Sequence, residues 1–92
     1  MAKASARHIL VDTEAQCETL KQQIEAGADF AEVAKQHSSC PSGRQGGDLG
    51  SFGPGQMVRE FDQVVFNEEL NKVHGPVKTQ FGYHLLEVTS RS

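Results

Sequence analysis

The stretch Val73-His74-Gly75-Pro76-Val77-Lys78-Thr79-Gln80-Phe81-Gly82-Tyr83-His84-Leu85-Leu86-Glu87-Val88-Thr89 decides the fold. From Tyr83 onward the residues alternate. His84, Leu86 and Val88 fall on one side and Tyr83, Leu85 and Glu87 on the other, which is the period of two of a β-strand. A turn at Phe81-Gly82 separates that strand from Val73–Thr79, so the chain closes as two strands. Working back towards the start, Met57, Phe61, Val64 and Val65 recur at helical spacing, with Phe66 beside them. Before them Asp48–Phe52 reads as a short strand that Gly53-Pro54-Gly55 breaks. The stretch Ser38–Gly47 is too rich in Ser, Pro and Gly for regular helix or strand.

Thr13-Glu14-Ala15-Gln16 is a capping-box pattern that opens a helix, with Cys17, Leu20 and Ile24 on one face and Gly27 at its end. Asp29 with Glu32 starts a second helix, whose buried side is Phe30, Val33 and Ala34. Arg7–Val11 is an apolar strand. The order is therefore strand, two helices, strand, helix, two strands. This is an α+β domain with a small, mostly antiparallel sheet.

At 92 residues the chain makes one domain, residues 1–92. A domain this small buries only roughly 60–65% of its unfolded surface, so its core is thin. The sequence is 37% hydrophobic and 23% charged, which fits a globular domain and excludes disorder. A net charge of −3 leaves no basic field to attract nucleic acid or anionic lipid. No apolar run exceeds three residues, far below the roughly 20 needed to span a bilayer. No apolar segment follows the early positive charges, so no signal peptide is read and a cytoplasmic protein is expected. Cys17 and Cys40 are too few for a disulfide scaffold and read as reduced thiols, Cys17 as a small core residue.

Strand parity points to the chemistry. His8 shares its face with Leu10, and His84 shares its face with Leu86 and Val88. If the two strands are neighbours, the imidazoles meet inside the sheet, with Thr79 near enough to fix a tautomer. The bland alternative is two buried, hydrogen-bonded core histidines. No ligand spacing of C-x2-C, H-x3-H or HExxH type occurs, so no metal site is expected. Cys40 before Pro41 could be a reactive thiol, but no local signature of a cysteine hydrolase surrounds it. The glycines of 43–50 do not form a phosphate-binding loop.

The string Cys40-Pro41-Ser42-Gly43-Arg44-Gln45-Gly46-Gly47-Asp48-Leu49-Gly50-Ser51-Phe52, followed by Gly55-Gln56-Met57 and Phe61, resembles the parvulin-type peptidyl-prolyl cis–trans isomerases. Ala6–Val11 is similar to the first strand of that family and Gly75–Leu86 to its closing strands, so the resemblance runs from about Ser5 to Val88. It implies a four-stranded, mostly antiparallel sheet surrounded by about four helices in the order β-α-α-α-β-α-β-β. It also implies catalytic positions His8, Cys40, Thr79 and His84, and a proline pocket of Leu49, Met57, Phe61 and Phe81. Cys40 is compatible with a nucleophilic or an electrostatic role, and the electrostatic one is favoured. The sequence departs from the family pattern at Glu60, at Asn71-Lys72 and at His74; Asn71 tolerates the positive φ that its turn needs.

The implied activity is cofactor-free rotation of X–Pro bonds in proline-containing peptides and unfolded protein segments. A monomer is expected, with no nucleic-acid or membrane partner. A non-catalytic proline-peptide binding module or holdase is the alternative. The short Asp12-Thr13 connection is acidic and carries no cation, so no phosphate preference is expected. An apolar residue is favoured before the proline and a phosphorylated or acidic one penalised there, with Arg44, Lys78 and Arg59 the nearby cations that could overturn this.

Overall fold

The protein is described by a computed structural model that covers residues 3–91, the side chain of Ser42 excepted; Met1, Ala2 and Ser92, the ends of the expected domain, lie outside it. The elements are β1 (Ala4–Val11), α1 (Glu14–Glu25), α2 (Phe30–His37), β2 (Asp48–Phe52), α3 (Arg59–Val65), β3 (Val73–Thr79) and β4 (Gly82–Arg91). Thr13 Oγ1 accepts the Gln16 N–H at 3.2 Å and Asp29 Oδ2 accepts the Glu32 N–H at 3.2 Å, so both expected caps start their helices. Asn71 sits at φ 61°, the left-handed turn that its side chain tolerates.

There are three α-helices rather than about four. Where a further helix is expected, Pro41–Gln45 forms a 3-10 turn, closed by Gly43 N–H to Cys40 O at 2.9 Å and Gly46 N–H to Gly43 O at 3.0 Å. A stretch of Pro, Ser and Gly gains too little from helical bonds to extend further.

The sheet order is β2-β1-β4-β3, antiparallel throughout. Its two faces bury different clusters. One joins Ile9, Val11 and Leu85 to Cys17 and Leu20 of α1 and to Phe30, Val33 and Ala34 of α2. The other joins Ala4, Ala6, Phe52 and Val88 to Val65 of α3. Both central strands are covered on both sides, which is why Leu85, Leu86 and Val88 are all fully buried despite their alternation. Cys17 is core, and burial with the neighbouring Glu18 pushes its thiol up to about 11.

Candidate active site

Register brings the two histidines together. His8 lies opposite Leu86 and Leu10 opposite His84 across the β1–β4 ladder, so the imidazoles are diagonal neighbours on one face. Their Nδ1 atoms are 3.2 Å apart, with ring centroids at 5.4 Å and planes 18° apart. With the nitrogens so much closer than the centroids, the rings meet edge to edge. His84 Nε2 is 2.7 Å from Thr79 Oγ1, which also accepts the Phe81 N–H at 3.1 Å. Thr79 reaches this position because β3 ends on it: Thr79 pairs with Gly82 across the tight Gln80-Phe81 turn.

This chain of contacts suits two neutral rings. One N–H between two Nδ1 atoms makes a hydrogen bond, whereas two imidazolium rings would set N–H against N–H. Burial acts in the same sense. It holds His8 down at about 4, with the His84 ring adding to the effect, and lowers His84 too, against an opposing pull from Glu60. Phe61 packs against the pair in edge contacts, its ring at 85° to His84 with centroids 4.7 Å apart and at 68° to His8 with centroids 5.5 Å apart.

The pair opens onto a cavity of about 360 Å3. Leu49, Met57, Phe61 and Phe81 line it, as do Cys40, His8 and His84. Seven of the eight residues singled out in the sequence therefore share one cavity; Thr79 stands behind His84. Leu49 and Met57 come from the second face's packing, against the Ala4, Ala6, Phe52, Val65 and Val88 cluster. Phe61 is 5% exposed and so belongs to both core and cavity, whereas Phe81 is 62% exposed at the mouth.

Four further lining residues, Leu10, Ser39, Pro41 and Val58, were not singled out. Leu10 was legible, because it shares its strand face with His8. Ser38 was missed as the residue that positions the Cys40 loop. Its Oγ accepts the Leu10 N–H at 3.0 Å and the Cys40 N–H at 3.3 Å, and Ser39 N–H donates to Leu10 O at 2.8 Å. A serine whose hydroxyl bonds two residues on is a known turn device, and that was the available signal. The far end of the loop is pinned by Gly47, at φ 83°: His8 N–H donates to its carbonyl at 2.9 Å, and a Cβ there would sit 2.2 Å from the His8 carbonyl oxygen. Only glycine lets the loop come this close to β1.

A family model described as "Rotamase: PPIC-type PPIASE domain" matches residues 3–90. The chain belongs to this family. Foldase protein PrsA of Geobacillus sp. (strain WCH70) is 47% identical over 90 residues, which are 97% of this chain and 33% of that protein. The chain thus spans about a third of the length of the curated relatives it matches. Among solved structures, the peptidylprolyl isomerase PrsA of Bacillus anthracis superimposes with a TM-score of 0.95 at 35% identity, over 99% of this chain and 42% of that one. NmPin, the parvulin of Nitrosopumilus maritimus, superimposes with a TM-score of 0.87 at 30% identity, over 98% of each. The fold is therefore shared with a protein of about this size and with part of a longer one. No cluster of three or more His, Cys, Asp or Glu side chains able to hold a metal occurs among the described residues.

Proposed function

We propose that this chain is a peptidyl-prolyl cis–trans isomerase that acts on proline-containing peptides and unfolded segments, with Leu49, Met57, Phe61 and Phe81 holding the proline ring. The observation that carries the reading is an apolar cavity whose polar edge is a buried histidine pair in contact through its Nδ1 atoms. Rotation about an X–Pro bond breaks no covalent bond; it must overcome a barrier of about 18–20 kcal/mol set by amide resonance. The twisted amide separates less charge than the planar one, so a dry apolar site favours it over the ground state. Neutral imidazoles preserve that environment where charged ones would draw in water. His8 and His84, ordered by Thr79, hold the sheet wall in place beside the reacting bond, and Cys40, which lines the same cavity, adds to the field there.

The experiment is a protease-coupled or NMR-exchange assay on a Leu-Pro peptide. Acceleration at catalytic enzyme concentration supports the isomerase. Peptide binding with the slow phase unchanged would replace it with a binding module or holdase. The pocket assignment is read from Met57→Ala, which lowers kcat/KM while leaving the circular dichroism spectrum intact.

A further inference from the structure

A second cavity, of about 460 Å3, adjoins the first. The two share Ser39, Cys40 and Pro41, so that segment is a partition with the proline site on one side and the second cavity on the other. The chemistry changes across it. On the far side stand Lys35, from the last turn of α2, and Arg44, from the 3-10 turn, together with Ser38, Ser39 and Gly43. No carboxylate is among the residues that line it. The Arg44 side chain forms no hydrogen bond or ion pair with any described residue. Among the described residues Lys35 pairs only with Glu32, at 3.7 Å, with both side chains about half exposed and their attraction screened by solvent. Against a net charge of −3, this is a local concentration of unneutralised positive charge beside an apolar pocket.

We propose that this cavity is a specificity subsite for an anionic side chain of the substrate, two residues away from the proline on one flank. The inference rests on the isomerase reading, since it takes the proline to lie in the first cavity. Consecutive Cα atoms are about 3.8 Å apart, and we place the residue next to the proline over the Ser39–Pro41 partition. The second residue out clears it and brings its side chain to Lys35 and Arg44. The position directly beside the proline stays apolar, and the Asp12-Thr13 connection, which lines neither cavity, does not oppose the anion. A carboxylate and a phosphate have the chemistry in common: oxygens that accept from a guanidinium fork and an ammonium.

The test uses matched peptides with Glu, Gln or phosphoserine placed two residues before or two residues after a Leu-Pro unit. Both Kd and kcat/KM are measured, at about 20 mM and about 300 mM salt. On one flank, Glu is expected to exceed Gln by about three- to tenfold at low salt, the range for one or two exposed ion pairs. The ratio should fall towards one at high salt and in the K35Q/R44Q double variant, and R44E should turn the preference towards Gln. The phosphoserine arm identifies the source: a larger gain than Glu marks a phosphate site, an equal or smaller gain a carboxylate site. Equal values for Glu and Gln on both flanks, or a preference that survives K35Q/R44Q, would overturn the subsite while leaving the isomerase intact. If no peptide is turned over, the isomerase reading falls, and the Kd ratio alone decides the subsite.

Discussion

Acid should loosen this domain well above the pH at which carboxylates titrate. The ordinary histidine value is 6.5, and burial holds His8 at about 4. The folded value is lowered, so between these limits the unfolded chain binds a proton that the native state refuses. Stability contributed by the neutral ring is therefore present above about pH 6.5 and is lost as pH falls towards 4. The full span is on the order of 3 kcal/mol, and about 2 kcal/mol of it is gone by pH 5. His84 is lowered for the same first cause and adds loss of the same sign. For a chain of this length, total stability is roughly 5–14 kcal/mol, so the effect is large. Urea unfolding followed by circular dichroism at about pH 7.5, 6.5, 5.5 and 5 measures it, in a range where the exposed Glu69, whose carboxyl Lys72 holds low, contributes little. His8→Asn, whose amide occupies the place of Nδ1 without titrating, should flatten much of the curve. A wild-type loss below about 0.5 kcal/mol between pH 7.5 and 5 would refute the buried neutral pair.

Amide rotation needs no net proton transfer, so kcat/KM should stay within about twofold between pH 6 and 8; a steep bell-shaped profile would make the pair an acid–base couple. Phe81→Ala should lower kcat/KM with little change in Tm, because that ring is mostly exposed, whereas Phe61→Ala should also cost about 3 kcal/mol of stability in urea unfolding. Thr79→Val leaves the Phe81 N–H and the His84 Nε2 without their partner, and a Tm loss equivalent to about 1–3 kcal/mol is expected, together with a changed tautomer signature in histidine 15N spectra.

Local signals carried most of the fold. The alternation of Tyr83–Val88 marks β4, the Thr13 and Asp29 caps mark α1 and α2, and the order of elements follows from such patterns, because each depends on contacts only a few residues long. Parity placed His8 and His84 on the inner faces of their strands, but neither strand specifies its partner. Ladder register, settled by the packing of both sheet faces, put Leu86 opposite His8 and so closed the Nδ1 contact at 3.2 Å. The same holds for the loop. Its composition excludes regular helix, yet Gly47's approach to His8 and the bonds from Ser38 to Leu10 and Cys40 span 28 or more positions along the chain or depend on backbone placed by them. The expected fourth helix is only a 3-10 turn because Pro, Ser and Gly gain too little from helical bonds, which is a local cause. Which residues can be helical or extended is a property of short sequence; which charges and rings share a cavity is not. In the sequence Lys35 is an ordinary surface cation and Arg44 a cation of the loop without an assigned place, and only the folding of α2 and the 3-10 turn against one partition sets them beside an apolar pocket, since burial and electrostatic fields depend on distance in space rather than along the chain.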